Sequence, residues 1–278
     1  MVEAVFDVSG HAKLRAHLND LGIDGNGSLY VTEIHTGRIS RWTVDAGIEL
    51  VAETGGGPNG ATLGRDGALY VTQNGGAWSE HRATPAIQRV TLEGEVSTIT
   101  TEVAGLTLGA PNDLAFGHDG RLYFTDPRGA PDPAENSDPG RLFVWDVEAV
   151  TGELLRELDP VFPNGIAFAA DGTMFWTESF SRHVMKLRDG KAQIVIELPE
   201  RHFPDGMCIG DDGRLYVAST YAHCVTVLDG SEIVDRLLCG DGMITNCCFG
   251  GTDLYVTESR HGTLWRFPVG CSGLDLLS

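Results

Sequence analysis

Apolar residues fall in short runs along nearly the whole chain, divided by turns rich in Gly, Asp and Asn. Four segments superimpose residue by residue: GPNGATLGRDGALYVTQ (57–73), APNDLAFGHDGRLYFTD (110–126), FPNGIAFAADGTMFWTE (162–178) and FPDGMCIGDDGRLYVAS (203–219). Each reads as a polar residue, an apolar stretch, an Asp-Gly turn, and a second stretch of Val, Tyr, Phe and Thr ending on a polar residue. Short runs of β-branched and aromatic residues joined by Asp-Gly predict hairpins, because Gly takes the positive φ that such turns require. Helical periodicity is scarce, so the pattern predicts an all-β protein.

With looser copies included, the cassette occurs six times, led by Asn19, Asn59, Asn112, Asn164, Asp205 and Asn246 at intervals of 40 to 53 residues. That period is the size of one four-stranded propeller blade. Third strands follow in several copies, such as GRISRWTV (37–44), GRLFVWDV (140–147), RHVMKLRD (182–189) and GTLWRFPV (262–269). The prediction is one domain over 1–278, a six-bladed β-propeller with four-stranded antiparallel blades. A strand near Ala4–Val8 is expected to complete the last blade and hide two open edges. The segments 74–86 and 127–140, rich in Gly, Pro and polar residues, read as loops inserted after the second strands of their blades.

In a propeller the first strand of each blade is innermost, so the six leading side chains are expected to converge on the central channel. Amide oxygens with a carboxylate are hard ligands, suited to calcium and poor for zinc or copper. Asn112, Asn164 and Asp205 are the main metal candidates, with Asp205 supplying the charge and basicity that the amides lack. Asn59 and Asn246 complete the ring as substrate contacts. The same residue types also cap turns through local hydrogen bonds. One cassette length further on, Glu33, Asp126, Glu178 and Glu258 are expected beside Asn19, Asn112, Asn164 and Asn246, as an outer ring of carboxylates. Arg128 and Tyr221 are further rim candidates, and His202, three residues before Asp205, is a candidate proton shuttle. Trp78 and His81, with the 127–140 loop, are expected to form a lid.

The formal charge of −19, from 20 Lys and Arg against 39 Asp and Glu, opposes a nucleic-acid surface, which needs clustered cations. No apolar stretch long enough to span a bilayer is present, and MVEAVFDVSG lacks the basic and apolar regions of a secretion signal. The expectation is a cytoplasmic protein that acts on a small molecule and touches neither nucleic acid nor membrane. All six cysteines follow position 207 in no zinc-binding spacing, and read as free thiols. Neither G-x-S-x-G nor H-E-x-x-H occurs, which removes the sequence support for a serine hydrolase or a zinc protease.

The segments FPNGIAF…DG…FWTES, PNDLAF…DGRLYFTDP, FPDGMCI…DGRLYVAS and TNCCFGG resemble the senescence marker protein and gluconolactonase family. These are calcium-dependent six-bladed propellers, luciferin-regenerating-enzyme-like proteins among them, that hydrolyse lactones and some esters. The resemblance implies that Asn164 and Asp205 ligate a divalent metal, that Asn112 contributes directly or through water and substrate, and that Asp205 is the general base. Two positions depart from the family pattern. Asn19 stands where a metal-binding Glu is usual, leaving Glu33 as a possible replacement ligand, and Ala110 stands where sugar lactonases carry an Arg. Two alternatives follow. The segment DGNGSLYVTEIHTGRISRW resembles a blade of virginiamycin B lyase, a seven-bladed propeller that opens a lactone by metal-assisted elimination. The other alternative is a non-catalytic propeller that binds protein or stores calcium.

Overall fold

Every conserved-looking letter of the cassette has a separate physical task in the computed structural model, which describes residues 3–7, 18–23, 28–130 and 132–274. In the Asp-Gly turns, Asp66, Asp119, Asp171 and Asp212 each accept the amide two residues on, at 3.0–3.3 Å. The following Gly has φ of 75–81° in all four. The Tyr of Leu-Tyr packs edge-on against a Phe of the next blade. Tyr70 meets Phe116, Tyr123 meets Phe168 and Tyr216 meets Phe249, with centroids 4.9–5.2 Å apart. Its hydroxyl turns back to the turn Asp, at 2.8 Å for Tyr123 and Asp119.

Six four-stranded antiparallel sheets result, five of them running outward from the axis in sequence order. Their innermost strands are Leu18–Ile23, Pro58–Leu63, Leu114–Phe116, Pro163–Phe168, Pro204–Ile209 and Ile244–Gly250. The second strands are Leu29–Glu33, Leu69–Gln73, Leu122–Asp126, Met174–Glu178, Leu215–Ser219 and Asp253–Glu258. Closure follows the expectation: Glu3–Asp7 pairs antiparallel with Thr263–Pro268 and becomes the outer strand of the sixth blade. The fold is a six-bladed β-propeller, and no helix among the described residues is long and apolar enough to cross a membrane.

Burial falls from the axis outward. Pro163–Phe168 is buried throughout, whereas the fourth strand of that blade, Lys191–Glu197, is mostly open to solvent. Inner strands are covered on both faces by adjoining blades, which explains their near-continuous apolar runs. The apolar clusters lie between blades. One joins Tyr70 and Ile87 of the second blade to Phe116, Phe124 and Trp145 of the third. The two long loops occur where expected, between second and third strands. A short hairpin, Glu102–Val103 with Leu106–Thr107, was not foreseen. Its turn is Ala104–Gly105 with both φ positive, a geometry for which Ala carries no sequence signal.

Candidate functional site

At the start of five inner strands, the sixth blade's among them between Ile244 and Asn246, the chain inserts one extra residue. Pro163 pairs with Glu178 and Ile166 with Trp176, and the same shift occurs between Leu18 and Leu21, Pro58 and Ala61, and Pro204 and Met207. Such a bulge re-aims the side chain it carries. Here it turns Asn59, Asn164 and Asp205, together with Asn112, into a cavity of about 360 Å³ at the mouth of the central channel. The glycine after Asn59, Asn164 and Asp205 is required by close approach. A Cβ on Gly60 would stand 2.8 Å from the Asn112 carbonyl oxygen, and one on Gly165 would stand 2.5 Å from that of Asp205.

The Thr that ends each second stretch locks this ring to the neighbouring blade. Thr32 donates its hydroxyl to the Asn59 carbonyl at 2.6 Å, Thr125 to Asn164 at 2.8 Å and Thr177 to Asp205 at 2.7 Å, and Thr72 does the same for Asn112. Each rim residue is therefore held by the blade before it. In the fifth blade Ala218 occupies the Thr position, and the rim residue of the sixth blade is Thr245.

Around Asp205 the hydrogen bonds are directional. Asn164 donates its amide nitrogen to Ser179 Oγ at 3.2 Å, and Ser179 passes its proton to the Pro204 carbonyl at 2.7 Å. Asn164 also hydrogen-bonds the Asp205 carboxyl, which opposes the upward push of burial on that group. Thr220 donates to Asp205 Oδ2 at 3.5 Å. Burial first, and then the negative charge of Asp113, push the Asp205 carboxyl up to about 8. Asp113 is itself pushed up to about 7 by burial, against the amides of Leu114 and Ile166, which it accepts at 2.8 and 3.2 Å. It lines a second cavity toward the opposite end of the axis, together with Asn246, Cys208 and Cys247.

Amide oxygens from Asn112 and Asn164 with the Asp205 carboxylate form a hard donor set, and a cation among them would offset the enclosed charge that now favours protonation. The residues present therefore fit a divalent hard ion. No group of three or more His, Cys, Asp or Glu side chains with metal-binding geometry occurs among the described residues, so the amides are central to that fit.

Other expectations change. The bulge shifts the rim pairing by one: Glu33 lies opposite Leu18, Glu178 opposite Pro163, and Ser219 opposite Pro204. The outer ring of carboxylates does not form, because these side chains turn into their own blades. Glu33 accepts the hydroxyls of Thr36 and Ser40. Asp126 accepts the amides of Gly109 and Ala110, at 3.0 and 2.6 Å. Glu178 accepts the Trp176 indole at 3.1 Å, and Glu258 accepts the amides of Met243 and Arg260 at 2.9 and 2.6 Å. The residues after Glu33, Glu178, Ser219 and Glu258, namely Ile34, Ser179, Thr220 and Ser259, line the mouth instead. In the sixth blade Ile244 pairs with Glu258, which puts Thr245 at the rim and Asn246 one residue deeper. His202 lies away from the cavity and accepts Arg236 Nε at 3.4 Å, and Arg128 packs on Gly109 outside the lining. Tyr221 does line the mouth, as do Trp78 and Pro133 from the two long loops. Asn19 sits on the inner strand at the rim position, and its side chain lies outside the described residues.

The walls were not foreseen. Phe162, Phe180, Phe203 and Met243 join Tyr221 and Trp78 around the donors. Phe162 and Phe203 both precede Pro, and in sequence they read as ordinary apolar residues at strand entry.

Residues 21–260 match the family described as SMP-30/Gluconolactonase/LRE-like region. A gluconolactonase of Zymomonas mobilis is 26% identical over 256 residues, covering 80% of this chain and 70% of that protein. Among solved structures, a gluconolactonase of Xanthomonas campestris superposes with a TM-score of 0.78 at 21% identity, over 98% of this chain and 89% of that one. A calcium-binding regucalcin of Agrobacterium tumefaciens gives 0.75 at 16% identity, over 93% and 92%. At those identities the two structures establish the shared fold alone. The family match spans most of the chain, and with the bulged Asn and Asp ring at the channel mouth it leads to one conclusion: this chain belongs to the SMP-30/Gluconolactonase/LRE-like family.

Proposed function

We propose that this chain is a divalent-cation-dependent hydrolase of a lactone or related ester, working at the mouth of the central channel. One observation carries the reading: Asp205 presents an enclosed carboxyl beside the amides of Asn112 and Asn164 in a cavity whose described lining holds no Lys, Arg or His. Such a carboxylate is ionised at neutral pH only with a cation beside it. Asn112, Asn164 and Asp205 would hold the ion, calcium by preference given the donor types and the calcium-binding neighbour. When bound, it would polarise the substrate carbonyl and stabilise the developing oxyanion.

The protein's own groups handle the proton. Asp205 takes a proton from a water molecule as its oxygen bonds to the carbonyl carbon, then returns it to the departing alkoxide as the ring or ester C–O bond breaks. Asp113 raises the basicity of Asp205 from below, through its charge. The Thr177 and Ser179 hydroxyls on the carbonyls of Asp205 and Pro204 fix the base in position.

The test is calcium titration by calorimetry, joined to turnover of a lactone and ester panel with and without chelator. Calcium binding and chelator-sensitive hydrolysis are expected, with one atom of solvent oxygen-18 in the acid product. A product with a new double bond and no solvent oxygen would replace hydrolysis by elimination.

A further inference from the structure

Two ring pairs flank the donors. Phe162 and Phe180 stand 4.8 Å apart between centroids, tilted by 33°, and Phe203 and Tyr221 stand 5.2 Å apart, edge to face at 85°. The same local geometry builds both. Each joins the residue two before a rim donor to the residue two beyond the end of the second strand. Backbone bonds of 3.0 Å from Ser179 to Phe162, from Phe180 to Val161 and from Thr220 to Phe203 tie the segments together. Phe162 sits at φ 56°, a conformation disfavoured for an aromatic residue, which keeps its ring against the donors.

The distribution of exposed apolar groups points the same way. Among the described residues, Trp78 and Tyr221 are the aromatic side chains left substantially open, at 49% and 43%, and both lie on this cavity. The lining hydroxyls are already engaged by protein. Ser179 donates to the Pro204 carbonyl, Ser259 to the Met243 carbonyl, Thr220 to Asp205, and Thr245 shares a hydrogen bond with Thr257. A polyhydroxylated substrate would need those groups to change partners, and an anionic one would meet no cation from the described lining.

We infer that the mouth takes a neutral lactone or ester carrying a flat apolar group, such as an aryl ring. The carbonyl would lie at Asn112, Asn164 and Asp205, and the ring between the Phe162–Phe180 and Phe203–Tyr221 pairs beneath Trp78. The cavity volume, about 360 Å³, falls within the range of small-molecule sites. This substrate class rests on the hydrolase reading above, whereas the apolar binding itself does not.

Four probes separate the two, all used on the full chain with calcium. Dihydrocoumarin and phenyl acetate are compared with D-glucono-1,5-lactone by kcat/KM. Acetanilide, the amide counterpart of phenyl acetate, is followed by saturation-transfer NMR as a ligand that is not turned over. The inference expects the aryl compounds to exceed the sugar lactone by at least about tenfold in kcat/KM. It also expects acetanilide to bind, with Phe203→Ala raising its Kd and the aryl KM by about tenfold. Trp78→Ala, on an exposed loop, supplies the same readout if Phe203→Ala fails to fold. Turnover of the sugar lactone alone, with no acetanilide bound, overturns the substrate class and leaves hydrolysis standing. Acetanilide binding without turnover of any ester supports the apolar site and overturns the hydrolase reading. Neither binding nor turnover overturns both.

Discussion

The fourth and fifth blades share a cassette, FPNG against FPDG, and nearly the same backbone, with one bulge each in the inner strand and an aromatic pair at the rim. They differ in what the bulge presents and in what the next blade receives. Asn164 offers an amide where Asp205 offers a carboxyl. Thr177 grips the Asp205 carbonyl, while Ala218, its counterpart, has no hydroxyl to give. From the second blade to the fifth, the rim residues whose carbonyls receive a Thr hydroxyl are Asn59, Asn112, Asn164 and Asp205. Where that Thr is missing, the sixth blade turns Thr245 to the mouth. The repeat thus supplies scaffold at every blade, while the proposed chemistry rests on a single exchange of nitrogen for oxygen.

Asp205→Asn turns the fifth blade into the fourth and is the largest perturbation. It should lower kcat/KM on any accepted ester by about 10²–10⁴-fold and abolish detectable calcium binding, with the circular dichroism spectrum retained. An Asp205→Asn protein with full turnover would remove Asp205 from the reaction.

The second prediction concerns pH. In protein stripped of calcium, Asp205 keeps its proton up to about 8 and Asp113 up to about 7, well above an unfolded carboxyl. Between pH 4 and 8 the folded chain therefore binds more protons than the unfolded one, so stability falls as pH rises through that window. The thermal midpoint should drop from pH 5 to 8.5. Asp205→Asn should flatten the slope, and a midpoint that rises over that interval would contradict it.

Thr177→Val removes the grip that the fourth blade has on the fifth. It should weaken calcium binding about tenfold by calorimetry and cost about 1 kcal/mol in denaturant unfolding, and Thr177→Ser should restore the affinity. The smallest effect belongs to Tyr123→Phe. It deletes the 2.8 Å bond to Asp119 and leaves the third blade like the fourth, which already has Phe175 at that position. The expected cost is about 0.5–1.5 kcal/mol by the same measurement, with no change in calcium affinity.

The repeat made the blades, the Asp-Gly turns, the long loops and the closing strand legible. It also singled out the four bulged or adjoining polar residues at the mouth. The bulge itself was silent. One extra residue in a pairing leaves the apolar runs intact, yet it flips every later side chain to the opposite face. Glu33, Glu178 and Glu258 were therefore set at the rim, where Ile34, Ser179 and Ser259 belong; the third blade has no bulge, and there Asp126 leaves the rim for the amides of Gly109 and Ala110. The sixth cassette is two residues shorter between its leading and closing polar residues, and that offset exchanged Asn246 for Thr245. Asp113 was hidden beside Asn112, because an acid directly after Asn in Pro-Asn-Asp reads as turn chemistry.

The seam between Glu3–Asp7 and Thr263–Pro268 sets when the ring can close during synthesis. A chain still emerging from the ribosome holds at most five finished sheets, with a bare strand edge at each side of the gap, until Thr263–Pro268 is released. A circular permutant opened within the 127–140 loop and joined across its original ends would make that seam a local hairpin, and the same ring would close early in translation.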